Sequence, residues 1–212
     1  MFHLKKHLLF DGAMGTLLQE SGLPAGTPPE KMNLTAPEAV EKIHAAYKAA
    51  GSDILTANTF GASRRKLGED PAPCIAAGIA AARRAAGNDC SVALDVGPLG
   101  ALLEPFGEMS FEEAYGQFAE IMESGEKAGA DLVLIETMSD LLEVKAALLA
   151  AKERTALPVF VTMTFGEDAD LSGRGSGGSG GNADQPGGRR HRRELLRRAQ
   201  GAAARFAGTR KR

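Results

Sequence analysis

The sequence contains no tryptophan, two tyrosines and two cysteines, Cys74 and Cys90. Two cysteines cannot form the disulfide framework of a small secreted domain. No apolar run approaches the roughly 18 residues that a membrane-spanning helix needs. The first residues, MFHLKKHLLFDG, also lack the long apolar region and the cleavage site of a signal peptide. These absences predict a soluble protein that resides in the cytoplasm and does not enter a membrane.

The net charge of −2 conceals two opposed segments of the chain. Residues 1–170 hold 14 Lys and Arg against 25 Asp and Glu, whereas residues 171–212 hold 11 against 2. From residue 174 the sequence is rich first in glycine and serine and then in arginine, with little apolar material to offset the entropy of ordering. We therefore predict a folded domain over 1–173 and a disordered basic tail over 174–212.

Residues 7–165 alternate short apolar runs with amphipathic stretches. Strands are predicted at 7–12, 53–60, 91–98, 130–137 and 157–165, and helices at 35–51, 74–87, 110–129 and 139–154. Thr35 and Ser110 are the predicted N-caps, each followed three residues later by glutamate. This alternation predicts parallel βαβ units in an α/β fold. We favour a (β/α)₈ TIM barrel, of which only the first five βα units are readable, over a doubly wound sheet, because no G-x-G-x-x-G motif follows the first strand.

Polar residues that could take part in binding or catalysis lie where the predicted strands end. They are Asp11, Asn58, Asp95, Glu136 and Thr164. In a barrel these strand ends form the active-site mouth. Glu136 closes an apolar strand, which is costly unless the carboxylate is paired or faces a polar cavity. It either binds a substrate ammonium group or forms a salt bridge in the mouth.

The remaining candidate side chains have simpler interpretations. Thr56 and Asn58 offer hydrogen-bonding groups, although alternate residues of a strand point to opposite faces. Asp11 either belongs to the site or caps a helix. His44 is predicted to be a surface or packing residue, and Cys74 and Cys90 are predicted to be small buried residues outside any metal cluster.

Several motifs together resemble one family. The stretches LLFDGAMGTLLQ, DVGPLGALLEP, DLVLIETMSDLLEVKAALLAAKE and PVFVTMTFGED closely resemble the homocysteine-binding barrel of the homocysteine S-methyltransferases, of the methionine synthase type and of betaine–homocysteine methyltransferase. The resemblance covers about residues 8–173. It implies that Asp11, the Gly12–Ala13 backbone and Glu136 hold the amino-acid end of homocysteine, and that Thr56 and Asn58 line the same mouth.

The resemblance also implies cofactors. In that family zinc binds the homocysteine thiol through three cysteines, which lie in an N-C-S-x-G-P motif and a G-G-C-C motif; cobalamin and methyltetrahydrofolate are carried on other modules. Zinc lowers the pKa of a thiol and so keeps a thiolate available at neutral pH. Neither cysteine motif is present, and no cysteine follows Cys90. The alternatives are therefore an inactive fragment, or another barrel enzyme that uses Asp11 and Glu136 as an acid/base pair.

The composition of the tail suggests an origin for these missing motifs. When residues 188–199 are read one base out of phase, permitted codon choices spell V-D-A-I-G-V-N-C-S-x-G-P, a strand followed by the first zinc motif. We infer an out-of-frame translation from about Arg174. The competing hypothesis, a nucleic-acid-binding arm, is weaker because Phe206 is the only aromatic residue of the tail.

Overall fold

The computed structural model of the chain describes residues 7–24 and 26–165. The predicted tail at 174–212 lies outside the described residues. Seven α-helices occur in the described part: α1 (Gly15–Glu20), α2 (Met32–Thr35), α3 (Pro37–Ala49), α4 (Arg64–Leu67), α5 (Ala72–Ala86), α6 (Phe111–Lys127) and α7 (Leu141–Arg154). A 3₁₀ turn, Pro29–Lys31, precedes α2. No helix of these residues is long and apolar enough to cross a membrane.

Four parallel strands form the sheet, and they follow one another in chain order. They are β1 (Ile54–Thr56), β2 (Ser91–Val96), β3 (Leu132–Met138) and β4 (Val159–Met163), and each pairs with the next. A doubly wound sheet breaks this order where its winding reverses. The unbroken order confirms an α/β fold with a parallel sheet and agrees with part of a TIM barrel.

The predicted first strand, 7–12, is much shorter in the structure. Phe10 forms one parallel bridge with Ile54, and the Leu9 carbonyl accepts from Asp53 N at 2.8 Å. The Leu9 N–H donates to Asp53 Oδ2 instead of to a strand carbonyl, which interrupts the ladder. The five complete βα units expected from the sequence are therefore not confirmed, because four strands form and residues 8–10 only accompany them.

Of the two predicted helix N-caps, one is confirmed and one is wrong. Ser110 caps α6, and its side chain accepts from Glu113 N as expected. Thr35 does not cap α3, because it is the last residue of α2 and its hydroxyl donates to the Lys31 carbonyl. Ala36 occupies the N-cap of α3 without a side-chain hydrogen bond, and Pro37 begins the helix. The capping box would need the Thr35 hydroxyl, but that hydroxyl is already bonded within the helical turn Met32–Thr35.

The two faces of the sheet have separate cores. On β2, Val92, Leu94 and Val96 belong to the large cluster packed against the helices, whereas Ala93 belongs to a smaller cluster on the opposite face. Because side chains alternate along a strand, this assigns the odd-numbered residues of β2 to the inner face. The inner cluster consists of Ile54, Ala93, Leu132 and Leu134, with Leu8, Phe10 and Phe160 against it.

An aromatic contact shows how strongly the sheet curves. The rings of Phe10 and Phe160 lie edge to face with centroids 5.8 Å apart, although they come from opposite edges of the sheet. Four strand spacings of about 4.8 Å would separate these edges by about 19 Å in a flat sheet. The contact is possible only because the sheet curls around its inner face, as a barrel wall does.

Candidate ligand mouth

The carboxyl ends of the strands carry polar side chains directly beyond the inner apolar layer. On β2, Asp95 follows Ala93 by two residues, and on β3, Glu136 follows Leu134 by two residues. Both positions therefore face inward by strand alternation. Thr56, at the end of β1, is half-buried and pairs in register with Ala93. The strands thus bring three polar side chains to the same end of the curved sheet.

Asp11 is held against this end by two elements. Its side chain is 1% exposed; Oδ1 accepts from Thr56 N at 3.0 Å, and Oδ2 lies 3.7 Å from His44 Nδ1. The second distance is too long for a hydrogen bond, and neither nitrogen of His44 has a hydrogen-bond partner among the described residues. His44 is therefore a fully buried residue that packs beneath Asp11, and of its two predicted locations the surface is excluded.

Tyr47 supports the turn that follows Asp11. Its hydroxyl donates to the Ala13 carbonyl at 3.0 Å, while Gly12 and Ala13 themselves are exposed. A Cβ added at Gly12 would lie 2.8 Å from Tyr47 Oη, so the close approach requires glycine. Burial, together with the nearby Asp11 carboxylate, raises the pKa of Tyr47, which keeps this hydroxyl a hydrogen-bond donor. Tyr47 is not predictable from the sequence, since one tyrosine on an amphipathic helix belongs to no motif.

The backbone beside Glu136 is irregular. Thr137 has φ 59°, and the register between β3 and β4 shifts between Ile135 and Met138. A β-branched residue in this left-handed region is strained, and bulges of this kind redirect side chains beside functional sites. Glu136 is half-buried, and burial followed by the charge of Asp11 raises its pKa. The two carboxyl groups are therefore close enough to influence one another.

The side chain of Asn58 is hydrogen-bonded to the side chain of Asn33. Its Nδ2 donates to Asn33 Oδ1 at 2.8 Å and to the Pro29 carbonyl at 2.9 Å, and Asn33 Nδ2 returns a bond to the Asn58 carbonyl. Both amide hydrogens of Asn58 thus connect the loop after β1 to the 3₁₀ turn and to α2. The predicted contribution of Asn58 to ligand binding stays a prediction, as do those of Thr56 and the Gly12–Ala13 backbone.

Asp95 is a second deeply buried carboxyl group of the mouth, beside Asp11. The residue is 7% exposed, and Oδ1 has no hydrogen-bond partner among the described residues. Burial raises the pKa of Asp95 well above its usual value, with further contributions from the charges of Glu136 and Asp11. From the sequence, Asp95 is predicted to lie at a strand end, without an assigned function. The available signal was a single carboxylate inside the otherwise apolar stretch SVALDV.

The described residues do not fit a zinc site. Cys74 Sγ donates to the Glu30 carbonyl and Cys90 Sγ to the Ser52 carbonyl, and both residues are buried, as predicted. Burial raises the pKa of the Cys74 thiol to about 11, so this sulfur is not a ready thiolate ligand. No group of three His, Cys, Asp or Glu within residues 7–24 and 26–165 is arranged to hold a metal ion.

The curved parallel sheet defines an α/β protein whose strand order agrees with part of a TIM barrel. A family model described as homocysteine S-methyltransferase matches residues 8–179. The chain belongs to this homocysteine S-methyltransferase family.

Relatives in sequence agree with this assignment. The chain is 36% identical over 181 residues to a methionine synthase of Mycobacterium leprae, which covers 73% of this chain and 14% of that protein. It is 36% identical over 179 residues to a methionine synthase of Mycobacterium tuberculosis, covering 73% and 15%. The chain thus spans about a seventh of the length of these relatives.

Solved structures agree with the fold. The homocysteine methyltransferase MmuM of Escherichia coli, in its metallated form, superimposes with a TM-score of 0.70 at 23% identity, covering 80% of this chain and 67% of that one. Its oxidised form gives a TM-score of 0.68 over 79% of this chain and 66% of the other. At this identity the likeness concerns the fold alone.

Proposed function

We propose that the mouth binds the amino-acid end of homocysteine. In this proposal Asp11 and Glu136 face the ammonium group, the Gly12–Ala13 N–H groups face the carboxylate, and Thr56 and Asn58 line the same space. The observation that carries the proposal is that the Asp11 carboxylate lies near Glu136 and, after burial, makes ionisation of Glu136 more costly, which raises the pKa of Glu136. Two adjacent carboxylates without a cation form an unfavourable arrangement, and no described ion pair involves Glu136. A ligand ammonium group would relieve this repulsion.

The family reaction transfers a methyl group to the homocysteine sulfur, and we propose that this chain supplies its amino-acid-binding half. Bound zinc supplies thiol ionisation in that reaction, but the described residues do not fit the metal and the sequence has no cysteine after Cys90. We therefore expect the chain by itself to bind homocysteine without methylating it. Cobalamin and methyltetrahydrofolate, as methyl source, belong in this proposal to other modules or another protein, and we place the protein in the cytoplasm.

We also propose that the codons from about Arg174 onward are read out of frame. Permitted codon choices for residues 188–199, read one base out of phase, spell the first zinc motif, and the match to the family model ends before these residues, at residue 179. The nucleotide sequence of the locus tests this directly. A stop codon in the alternative frame, or the absence of the expected cysteine codon, would refute the frameshift without affecting the binding proposal.

Calorimetric titration of the purified chain with L-homocysteine tests the binding proposal. Glu136→Gln is expected to weaken binding by about tenfold or more, because one charge-assisted hydrogen bond is lost. Glu123→Gln, which removes a surface carboxylate paired with Arg154, is the matched control and should bind as the unmodified chain does. Equal binding by the Glu136 variant, or no binding by folded protein, contradicts the proposal.

Zinc content and methyl transfer test the second part of the proposal. The purified chain is expected to retain no stoichiometric zinc after dialysis and to form no methionine from methylcobalamin. One bound equivalent of zinc together with methionine formation would show that the chain contains a complete site.

A further inference from the structure

Asp95 is a buried carboxyl group that does not contribute a visible contact to the fold through Oδ1. Two other buried carboxylates do contribute such contacts. Glu30 Oε1 accepts from Gly61 N at 2.6 Å, and Glu143 Oε1 accepts from Leu99 N at 2.7 Å. By contrast, Asp95 Oδ1 has no partner among the described residues. A backbone hydrogen bond from Val96 reaches the Asp95 carboxyl group, but Oδ1 is buried without a partner among the described residues. Burying a polar atom without a hydrogen bond costs free energy, so the burial of Oδ1 is not explained by stability.

The backbone beneath this carboxyl group is well anchored. The Thr59 hydroxyl donates to the Asp95 carbonyl at 2.9 Å and lies 3.0 Å from Asp95 N, from which it accepts. Asp95 is also paired in register with Leu134 of β3. The position of the side chain is thus set by the sheet and by Thr59, in the preorganised manner of a binding group.

The direction of the side chain follows from strand alternation. Ala93 lies in the inner cluster, and Leu94 and Val96 lie in the helix-facing cluster. Asp95 therefore faces the inner side of the sheet, at the end that carries Glu136 and Asp11. Charged groups that influence Asp95 come from four elements: Glu136 of β3, Asp11 after residues 8–10, Glu30 of the 3₁₀ turn and Lys66 of α4. Three of these four are acidic, so the mouth is short of positive charge.

We propose that Asp95 is a third residue that binds the ammonium group of the ligand, together with Asp11 and Glu136. This inference rests on the proposed binding of homocysteine and adds one binding residue to it. An ammonium group has three N–H donors, and three carboxyl groups from three segments of the chain accept them. A fully acidic set also selects ligands that carry a primary ammonium group over analogues that lack it.

If Asp95 binds the ammonium group, ligand binding releases a proton, whereas a purely structural role of Asp95 predicts no such release. In the empty mouth, burial and the neighbouring carboxylates raise the pKa of Asp95, so its carboxyl group retains its proton to a higher pH than a free aspartate does. When the ammonium group binds, the attraction of the cation lowers that pKa and the carboxyl proton passes to buffer. No bond of the ligand breaks. Binding therefore releases a proton, and affinity increases as pH rises, until Asp95 is already ionised in the free protein.

Calorimetry of the full chain in two buffers of different ionisation enthalpy measures this proton. The unmodified chain is expected to release protons when L-homocysteine binds, whereas Asp95→Asn should release fewer and bind about tenfold more weakly. Glu143→Gln is the matched control, because it removes another buried carboxylate whose oxygen has a backbone partner. Its affinity and proton release should equal those of the unmodified chain.

The possible outcomes distinguish a failure of the proposed role of Asp95 from a failure of the proposed homocysteine binding. Equal affinity and equal proton release in Asp95→Asn, with binding by the unmodified chain intact, would overturn the role of Asp95 alone. A lower melting temperature in Asp95→Asn, with unchanged proton release, would also overturn it and would assign Asp95 to the fold. If the folded, unmodified chain does not bind homocysteine, the proposed function fails and this inference falls with it.

Discussion

The outer and inner faces of the sheet are built differently, although the same strands supply both. The outer face packs against α5, α6 and α7 through a large cluster that includes Phe118, Ile75 and Met122, all fully buried. The inner face holds a small cluster whose flanking residues, among them Phe160, are only half-buried. The outer core is the larger and more deeply buried of the two, although Val161, which points outward because Phe160 points inward, is 39% exposed. We therefore expect the stability of the fold to depend mainly on the outer core, and we place the proposed ligand site on the inner face.

The largest expected effect distinguishes the two cores directly. Phe118→Ala removes a fully buried outer side chain and is expected to lower the free energy of unfolding by about 3–5 kcal/mol. Phe160→Ala removes an inner ring that is half-buried and packs edge to face on Phe10, so the loss should be clearly smaller. Urea denaturation of both variants gives the comparison. Equal losses would show that the inner cluster is as tightly packed as the outer one.

The next effect compares buried carboxylates on the two sides. Glu143→Leu leaves the Leu99 N–H without its acceptor and should cost about 1–3 kcal/mol. Asp95→Asn removes a carboxyl group whose Oδ1 has no partner in the described part and should leave stability at neutral pH unchanged or higher. The midpoints of urea denaturation at pH 7 test both expectations, a loss of stability in Glu143→Leu and no loss in Asp95→Asn. A loss of stability in both variants would remove the distinction between paired outer and unpaired inner carboxylates.

The pH dependence of stability sharpens the contrast. The folded-state pKa of Asp95 is raised, so the folded chain holds a proton that the unfolded chain releases near pH 4. Stability from this group is therefore complete below about pH 4 and decreases as pH rises toward the folded-state pKa. The slope cannot exceed about 1.4 kcal/mol per pH unit for one proton. Unfolding measured from pH 5 to 8 should show a flatter decline in Asp95→Asn than in the unmodified chain, and parallel curves would contradict the shift.

The smallest effect concerns the turn at the rim of the inner face. Tyr47→Phe removes the hydroxyl that donates to the Ala13 carbonyl and should cost about 1 kcal/mol. Gly12→Ala should be costlier than that, because the new Cβ meets Tyr47 Oη. In the Tyr47→Phe background the cost of Gly12→Ala should fall, which a double-mutant cycle measures. Strict additivity of the two changes would show that Tyr47 does not restrict residue 12.

Much of the fold was predictable because its signals are local. The stretches DLVLIET and VFVTM are apolar enough for strands covered on both faces, and Ser110 with Glu113 marks the start of α6. The failures are places where a second interaction competes with the local one. Thr35 is taken by α2, and Leu9 bonds to the side chain of Asp53.

The candidate site was predictable only in outline. Resemblance and strand ends indicated Asp11 and Glu136, and the structure brings them within electrostatic range of each other. The partners that hold Asp11 and its turn, His44 and Tyr47, come from a helix more than thirty residues away. No local pattern encodes such a contact.

The sequence alone determined the class of fold and its family, because strand and helix periodicities and a family motif are properties of neighbouring residues. Only the tertiary structure decided which buried carboxyl oxygens have a hydrogen-bond partner. Glu143 and Asp95 are both acidic residues within ordinary elements, and their difference arises from what the curled sheet places beside each oxygen. The cost of a buried carboxyl oxygen without a hydrogen bond depends on its three-dimensional surroundings, which is why we propose the inner mouth as the place where a ligand binds.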